Sequence, residues 1–290
     1  MKASNKQRKR KTEREEDCGS PSKVSNVSKP AVKSKYFEEQ NKVAQKKLRK
    51  SASCSTKSGK EHENENVLSA TSSVKSEDRL GFNFYNVSCE DLAKSLLGKI
   101  IVINYEGKRL AGKIVETEAY LGPIDKGAHS YKGKTERNTA MFMKPGTAYV
   151  YNIYGMYCCM NISANGDGAA VLLRALQPIE NLELMDKLRT KGKKAGSLLK
   201  KDGVGLCNGP SKLCQALGIK KDLVNKVDMC TSDLIWLEKG ETVNDDEIVK
   251  CKRININYAE EWVDKPLRFY IMGNVFNSVK DKEAEKAISG

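Results

Sequence analysis

Large apolar residues are scarce over the first 80 positions and then arrive in short, regular blocks. Ser88-Cys89-Glu90-Asp91 has the form of a helix start, with Ser88 as N-cap and Asp91 at the third helical position. Leu92, Leu96 and Leu97 follow at helical spacing, and Gly98 stops the run. Residues 100–105 predict a strand, and Glu106-Gly107 turns it into a second over 110–114. Residues 114–121 contain no Gly or Pro and many β-branched side chains, so they predict a strand as well. Alternation along that strand would put Ile114, Glu116, Glu118 and Tyr120 on one face. Val115, Thr117, Ala119 and Leu121 would share the other, core-facing side.

Residues 148–153 and 156–163 predict a hairpin that turns at Tyr154-Gly155. Asn165-Gly166-Asp167-Gly168 is a turn, and 169–175 is an apolar strand interrupted by Arg174. Residues 179–189 read as a helix, and 191–201 as a basic, glycine-containing loop. A further helix opens at Gly209-Pro210-Ser211-Lys212, with Ser211 as N-cap and Gly218 as stop. Short strands are expected over 234–237, 253–256 and 267–271. Strands this close in sequence favour antiparallel pairing. The fold class is therefore α+β: a curved, mainly antiparallel sheet, surrounding helices and a protruding β-hairpin.

Composition divides the chain. Residues 1–80 carry 20 Lys and Arg against 11 Asp and Glu, a net +9 of the formal +14. A segment this polar buries too little surface to offset its ordering entropy. It reads as a disordered basic tail, with the folded domain at 81–290. Arg8-Lys9-Arg10-Lys11 and Lys46-Lys47-Leu48-Arg49-Lys50 suit nuclear localisation and nonspecific DNA contact, or simply a solvated linker. Residues 40–50 could form a short helix. A basic balance points to acidic partners such as nucleic acid. No run of eighteen apolar residues and no apolar signal core is present, so neither a membrane span nor secretion is expected. Nine cysteines without a CxxC pair, and one histidine in the domain, exclude a zinc finger and favour free thiols. No P-loop or dinucleotide motif occurs, so no cofactor and no metal are expected.

The candidate chemistry lies between 114 and 174. Two carboxylates and a phenol on one strand face are costly to bury without partners or a task. Arg174 needs a partner too, and a strand carboxylate such as Glu118 is the obvious one; a plain structural ion pair is the competing account. The loop GPIDKGAHS then delivers His129. Tyr149, Tyr151, Tyr154 and Tyr157 crowd nine residues. A β-core accounts for Tyr149 and Tyr157, but Tyr154 stands at a hairpin tip where no core is available. An aromatic there suits a stacking platform or a wedge. Gly209-Pro210 followed by Lys212 is a plausible phosphate seat or an ordinary cap.

VETEAYLGP, AHS, MFMKPGTAYVYNIYGMYCCMNIS and GDGAAVLLRAL, continued by GPSKLCQALGI and KPLRFYIMGN, resemble the alkyladenine (methylpurine) DNA glycosylases. The resemblance runs from about Gly81 to Val279 and implies a single compact catalytic domain. It implies a partner, double-stranded DNA with damaged purines, and a monomeric enzyme of the nucleus. The substrates implied are methyladenine, methylguanine, hypoxanthine and etheno adducts, excised in base excision repair to leave an abasic site.

Spacing leaves Glu116 and Glu118 equal; the resemblance assigns the general base to Glu118, with Arg174 and the Ile254 carbonyl holding the water. Tyr154 matches the intercalating tyrosine. Tyr120, His129 and Tyr151 match the walls of the flipped-base slot, and Asn161 the residue that disfavours normal guanine. Arg137 and Lys212 are candidate contacts to the DNA backbone. No lysine is placed as a Schiff-base nucleophile, so a monofunctional glycosylase is expected. Asn255 departs from the family, which usually has glycine there. A nucleic-acid-binding module and a carbohydrate hydrolase with paired carboxylates are the rival readings.

Overall fold

The computed structural model describes residues 77–191, 196–199 and 202–289. Residues 1–76 of the basic tail, with its 40–50 stretch, and most of the 191–201 loop lie outside the described residues. Two helices, α1 (Phe82–Tyr85) and α2 (Cys89–Ser95), precede strands β1 (Ile100–Tyr105) and β2 (Lys108–Tyr120). Strands β3 (Ala148–Ile153), β4 (Tyr157–Ser163) and β5 (Ala170–Glu180) follow. Next come α3 (Leu182–Thr190), α4 (Val204–Cys207), α5 (Pro210–Ala216) and α6 (Lys221–Val224). Strands β6 (Ile235–Glu238), β7 (Ile248–Cys251) and β8 (Arg268–Ile271) and helix α7 (Lys282–Ser289) complete the domain.

The architecture is α+β, with one open sheet. Its order is β3-β4-β5-β2-β1-β6, and every strand pair is antiparallel. Strand β2 organises it. One edge pairs with β5 along its length, while the other pairs first with β1 and then with β8, which carries β7. The separate strands predicted over 110–114 and 114–121 are thus one. Helix α2 starts as its sequence dictates: Ser88 Oγ accepts the Asp91 N–H at 3.2 Å. It packs on β2, where Thr117 Oγ1 donates to Ala93 O at 2.8 Å. Helix α5 packs on β4 and β5.

Four local expectations are corrected. Strand β5 runs on through Glu180, which pairs with Ala111 and receives the Arg109 guanidinium, so no helix begins at 179. Asn181 then turns at φ +57° and α3 follows. Helix α5 is capped by Gly209 with Pro210 in its first turn, where proline's fixed φ is already helical; Ser211 is not the cap. Residues 253–256 form no strand, because Asn255 at φ +61° cannot stay in a ladder. Lastly, Ile114 does not share the carboxylate face. The β2–β5 register slips between Ile114 and Glu116, and Ile114 joins the main apolar cluster with Ala119.

Candidate active site

The same ladder slips again between Glu116 and Thr117, which pair with Ala175 and Leu173 and leave Arg174 as the extra residue. A bulge re-aims the side chain it carries. Arg174 points at both carboxylates: Nε donates to Glu116 Oε1 at 3.0 Å and Nη1 to Glu118 Oε1 at 3.1 Å. All three side chains are buried. Burial works against the arginine's charge, but Glu118 and Glu116 outweigh it and its pKa is raised.

Hydrogen bonding separates the two carboxylates. Glu116 receives Arg174 Nε, Arg268 Nη1 (3.1 Å), Ser278 N (2.6 Å) and Ser278 Oγ (2.8 Å). A carboxylate has about four acceptor positions; on Glu116 three donors meet Oε1 and one meets Oε2. Glu118 receives three donors: Arg174 Nη1, the Ile254 N–H at 2.8 Å and the Tyr120 hydroxyl at 2.8 Å. One position on Oε2 is left. Burial, and then the Glu118 charge, push the Tyr120 phenol well above its ordinary pKa, so it stays protonated and keeps donating.

Tyr120, Arg174 and Ile254 also line a cavity of about 300 Å³. Glu118 therefore lies directly behind the cavity wall. The remaining wall includes His129, Tyr149, Tyr151, Asn161 and Tyr154. His129 Nδ1 is 2.9 Å from the Tyr149 hydroxyl, and its ring meets Tyr151 edge-on at 4.6 Å between centroids. The imidazole is hemmed in by these rings although part of its surface stays open at the rim. Burial and the neighbouring Arg137 lower its pKa, so the ring is neutral near pH 7. Asn161 Nδ2 donates to Tyr149 O at 3.2 Å, which fixes the amide against the floor.

Tyr154 is 89% exposed at the hairpin tip, with φ +51° beside Gly155 at +70°. Positive φ is uncommon for a tyrosine and is found where function or turn geometry requires it. Arg137 is exposed, with its guanidinium 5.8 Å from the Tyr151 ring centroid. Lys212 does not line the cavity; its Nζ donates to Asn208 Oδ1 at 2.8 Å. The resemblance gives the Ile254 carbonyl a role in holding water; the amide of the same residue donates to Glu118 Oε1 at 2.8 Å.

Several site residues carry no signal in the sequence. Arg268 and Ser278 hold Glu116 from 152 and 162 residues away. Asp125 and Arg253 form a fully buried pair behind Tyr120. Tyr258, exposed, lines the cavity mouth beside Asn255, which the sequence had already marked out. Among the described residues, no three His, Cys, Asp or Glu side chains converge as a metal site would require. No helix among them is long and apolar enough to cross a membrane.

Comparison with known proteins gives a consistent answer. The sequence model of the methylpurine-DNA glycosylase (MPG) family matches residues 83–275. A DNA-3-methyladenine glycosylase of Homo sapiens is 50% identical over 212 residues, covering 72% of this chain and 70% of that protein. A probable DNA-3-methyladenine glycosylase of Encephalitozoon cuniculi is 49% identical over 193 residues, covering 66% of this chain and 89% of its own length. A putative 3-methyladenine DNA glycosylase of Clostridium perfringens is 48% identical over 206 residues, 70% of this chain and the whole of its own length.

Proposed function

The chain belongs to the methylpurine-DNA glycosylase family, and from that premise we propose that it excises alkylated and deaminated purines from duplex DNA as a monofunctional glycosylase. The substrates in this reading are methyladenine, methylguanine, hypoxanthine and etheno adducts. Glu118 takes a proton from a water held with Arg174 and the Ile254 carbonyl. The water oxygen bonds to the anomeric carbon, the glycosidic bond breaks, and its electron pair leaves with the base. A fixed carboxylate also stabilises the cationic sugar of the transition state.

The damaged nucleotide must first leave the stack. Tyr154 at the hairpin tip fills the gap, and the base enters the slot walled by Tyr120, His129 and Tyr151. Asn161 crowds the exocyclic amine of normal guanine. Arg137 and Lys212 meet backbone phosphates. The basic clusters near Lys9 and Lys47 support a nuclear site of action.

One observation carries the choice of Glu118 over Glu116: all three donors on Glu118, from Tyr120, Arg174 and Ile254, belong to residues that line the cavity, whereas Arg268 and Ser278, which hold Glu116, do not. The test is single-turnover release of hypoxanthine from a duplex, revealed as alkali-labile sites. Glu118→Gln is expected to slow release by about 10²–10⁴-fold, the usual share of a general base, while duplex binding persists. Release by Glu118→Gln at the wild-type rate would move the base role elsewhere. Wild-type protein that binds DNA yet releases no base, from this or a methylated duplex, would leave a binding module.

A further inference from the structure

Resting on that reading, we propose that Asp125 and Arg253 form a positioning clamp that sets two groups of the excision site at once, the Tyr120 ring and the Ile254 amide. Strand β7 ends at Cys251, so residues 253–256 have no ladder partner to fix them. Yet the Ile254 N–H must sit 2.8 Å from Glu118 Oε1. The adjacent side chain supplies the missing restraint. Arg253 Nη1 and Nη2 donate to Asp125 Oδ2 at 2.6 Å and Oδ1 at 2.8 Å, and Nη1 also reaches Ala119 O at 3.0 Å. Asp125 is held from its other side by the N–H groups of Leu121 (3.0 Å) and Gly127 (2.8 Å). The clamp thus ties together the end of β2, the loop after it and the segment that carries Ile254.

Its second output is Tyr120. The Arg253 guanidinium carbon lies 4.6 Å from the Tyr120 ring centroid. Both members of the pair are fully buried, so the guanidinium covers the ring on its protein side and leaves the cavity side for a ligand. Tyr120 in turn donates to Glu118. Two of the three donors on Glu118 therefore take their places from one ion pair.

A pair kept only for stability accounts poorly for this. Buried ion pairs stabilise little compared with packed apolar residues. Arg253 Nε is moreover buried without a partner, a cost that a purely stabilising pair has no reason to carry. Covering Tyr120 while gripping Asp125 gives such a reason.

Three proteins test the clamp at full length: wild type, Arg253→Lys, and the double variant Asp125→Asn/Arg253→Met. Lysine keeps the charge opposite Asp125 but loses the planar, forked grip. The double variant leaves no orphaned charge and carries the test should the lysine protein fail to fold. Single-turnover release of hypoxanthine is compared with affinity for the same duplex, the latter in a Glu118→Gln background. Emission from a flipped ethenoadenine in that background reports stacking on Tyr120.

The expected result is folded protein, duplex affinity within about threefold, altered emission, and release slowed by about 10–100-fold, the scale of a small misplacement of reacting groups. Release at the wild-type rate by a folded variant overturns the clamp, as does a loss of rate fully matched by lost affinity or lost folded fraction. In both cases an active wild type leaves the glycosylase reading standing. A wild type that releases no base overturns both.

Discussion

Glu116 and Glu118 stand two residues apart on one strand, and their surroundings divide them. Glu116 is a buried joint that holds Arg174, Arg268 and Ser278. Breaking a buried charge pair by removing one partner costs about 3–5 kcal/mol. Glu116→Gln keeps one acceptor oxygen, so we expect a loss of about 3 kcal/mol in denaturant unfolding, accompanied by slower base release from a displaced Arg174. Glu118→Gln should lose activity without a comparable drop in stability. The sequence made both glutamates and Arg174 visible, because carboxylates and a guanidinium in apolar strands demand partners. It could not rank the glutamates, since the deciding donors come from Ser278 and Arg268, far along the chain and in unremarkable contexts. Asn255 was visible as a departure. At φ +61° it occupies a conformation that asparagine tolerates better than most residues, which is how this chain keeps a left-handed turn without glycine.

At the scale of elements, the β3–β4 hairpin was legible because its alternation and its Tyr154-Gly155 turn agree. Its exposed tip makes a clean separation of roles. Tyr154→Ala should leave stability within about 0.5 kcal/mol, as expected for an exposed side chain, yet weaken capture of the flipped base and slow excision. Thermal unfolding and single-turnover rates would show the split. The base of the hairpin is tied by the Thr147–Asp228 bridge and the Lys144–Asp228 ion pair. Burial alone would raise the Asp228 pKa, but the bond from Lys144, with Thr231 and the Cys230 amide, brings it down to about 2. A carboxyl lowered on folding adds stability that is present above its ordinary pKa and is lost as pH falls toward the folded value. Wild type should therefore exceed Asp228→Asn by about 1 kcal/mol near pH 5, allowing for screening at the half-exposed Lys144. The gap should close by about pH 2 in acid titrations of unfolding. Bulges were the elements least legible. The slips at Ile114 and at Arg174 depend on the partner strand, and a single-strand pattern carries no record of them.

Over the whole molecule, charge is unevenly placed, with +9 of the +14 in residues 1–80. Phosphate contacts release counterions, so affinity falls with salt in proportion to their number. Deleting residues 1–76 should flatten the dependence of duplex affinity on salt, while the single-turnover rate at saturating protein stays within about twofold. An unchanged slope would show that the tail makes no phosphate contact. The α+β class and antiparallel sheet were readable because neighbouring strands pair locally. The docking of β8 against β2 was not, because it joins residues about 150 positions apart. That long reach also sets an order of events during synthesis. When the ribosome has made the hairpin and β5, Glu116 and Glu118 already exist, but of their donors only Tyr120 and Arg174 have been made. The Ile254 amide, Arg268 and Ser278 emerge much later. Until then the nascent domain carries an excess of negative charge at its centre, which opposes its closure. A chain halted before Arg268 should remain an easy target for proteases, so the cell meets this protein either unfinished and degradable or complete and armed.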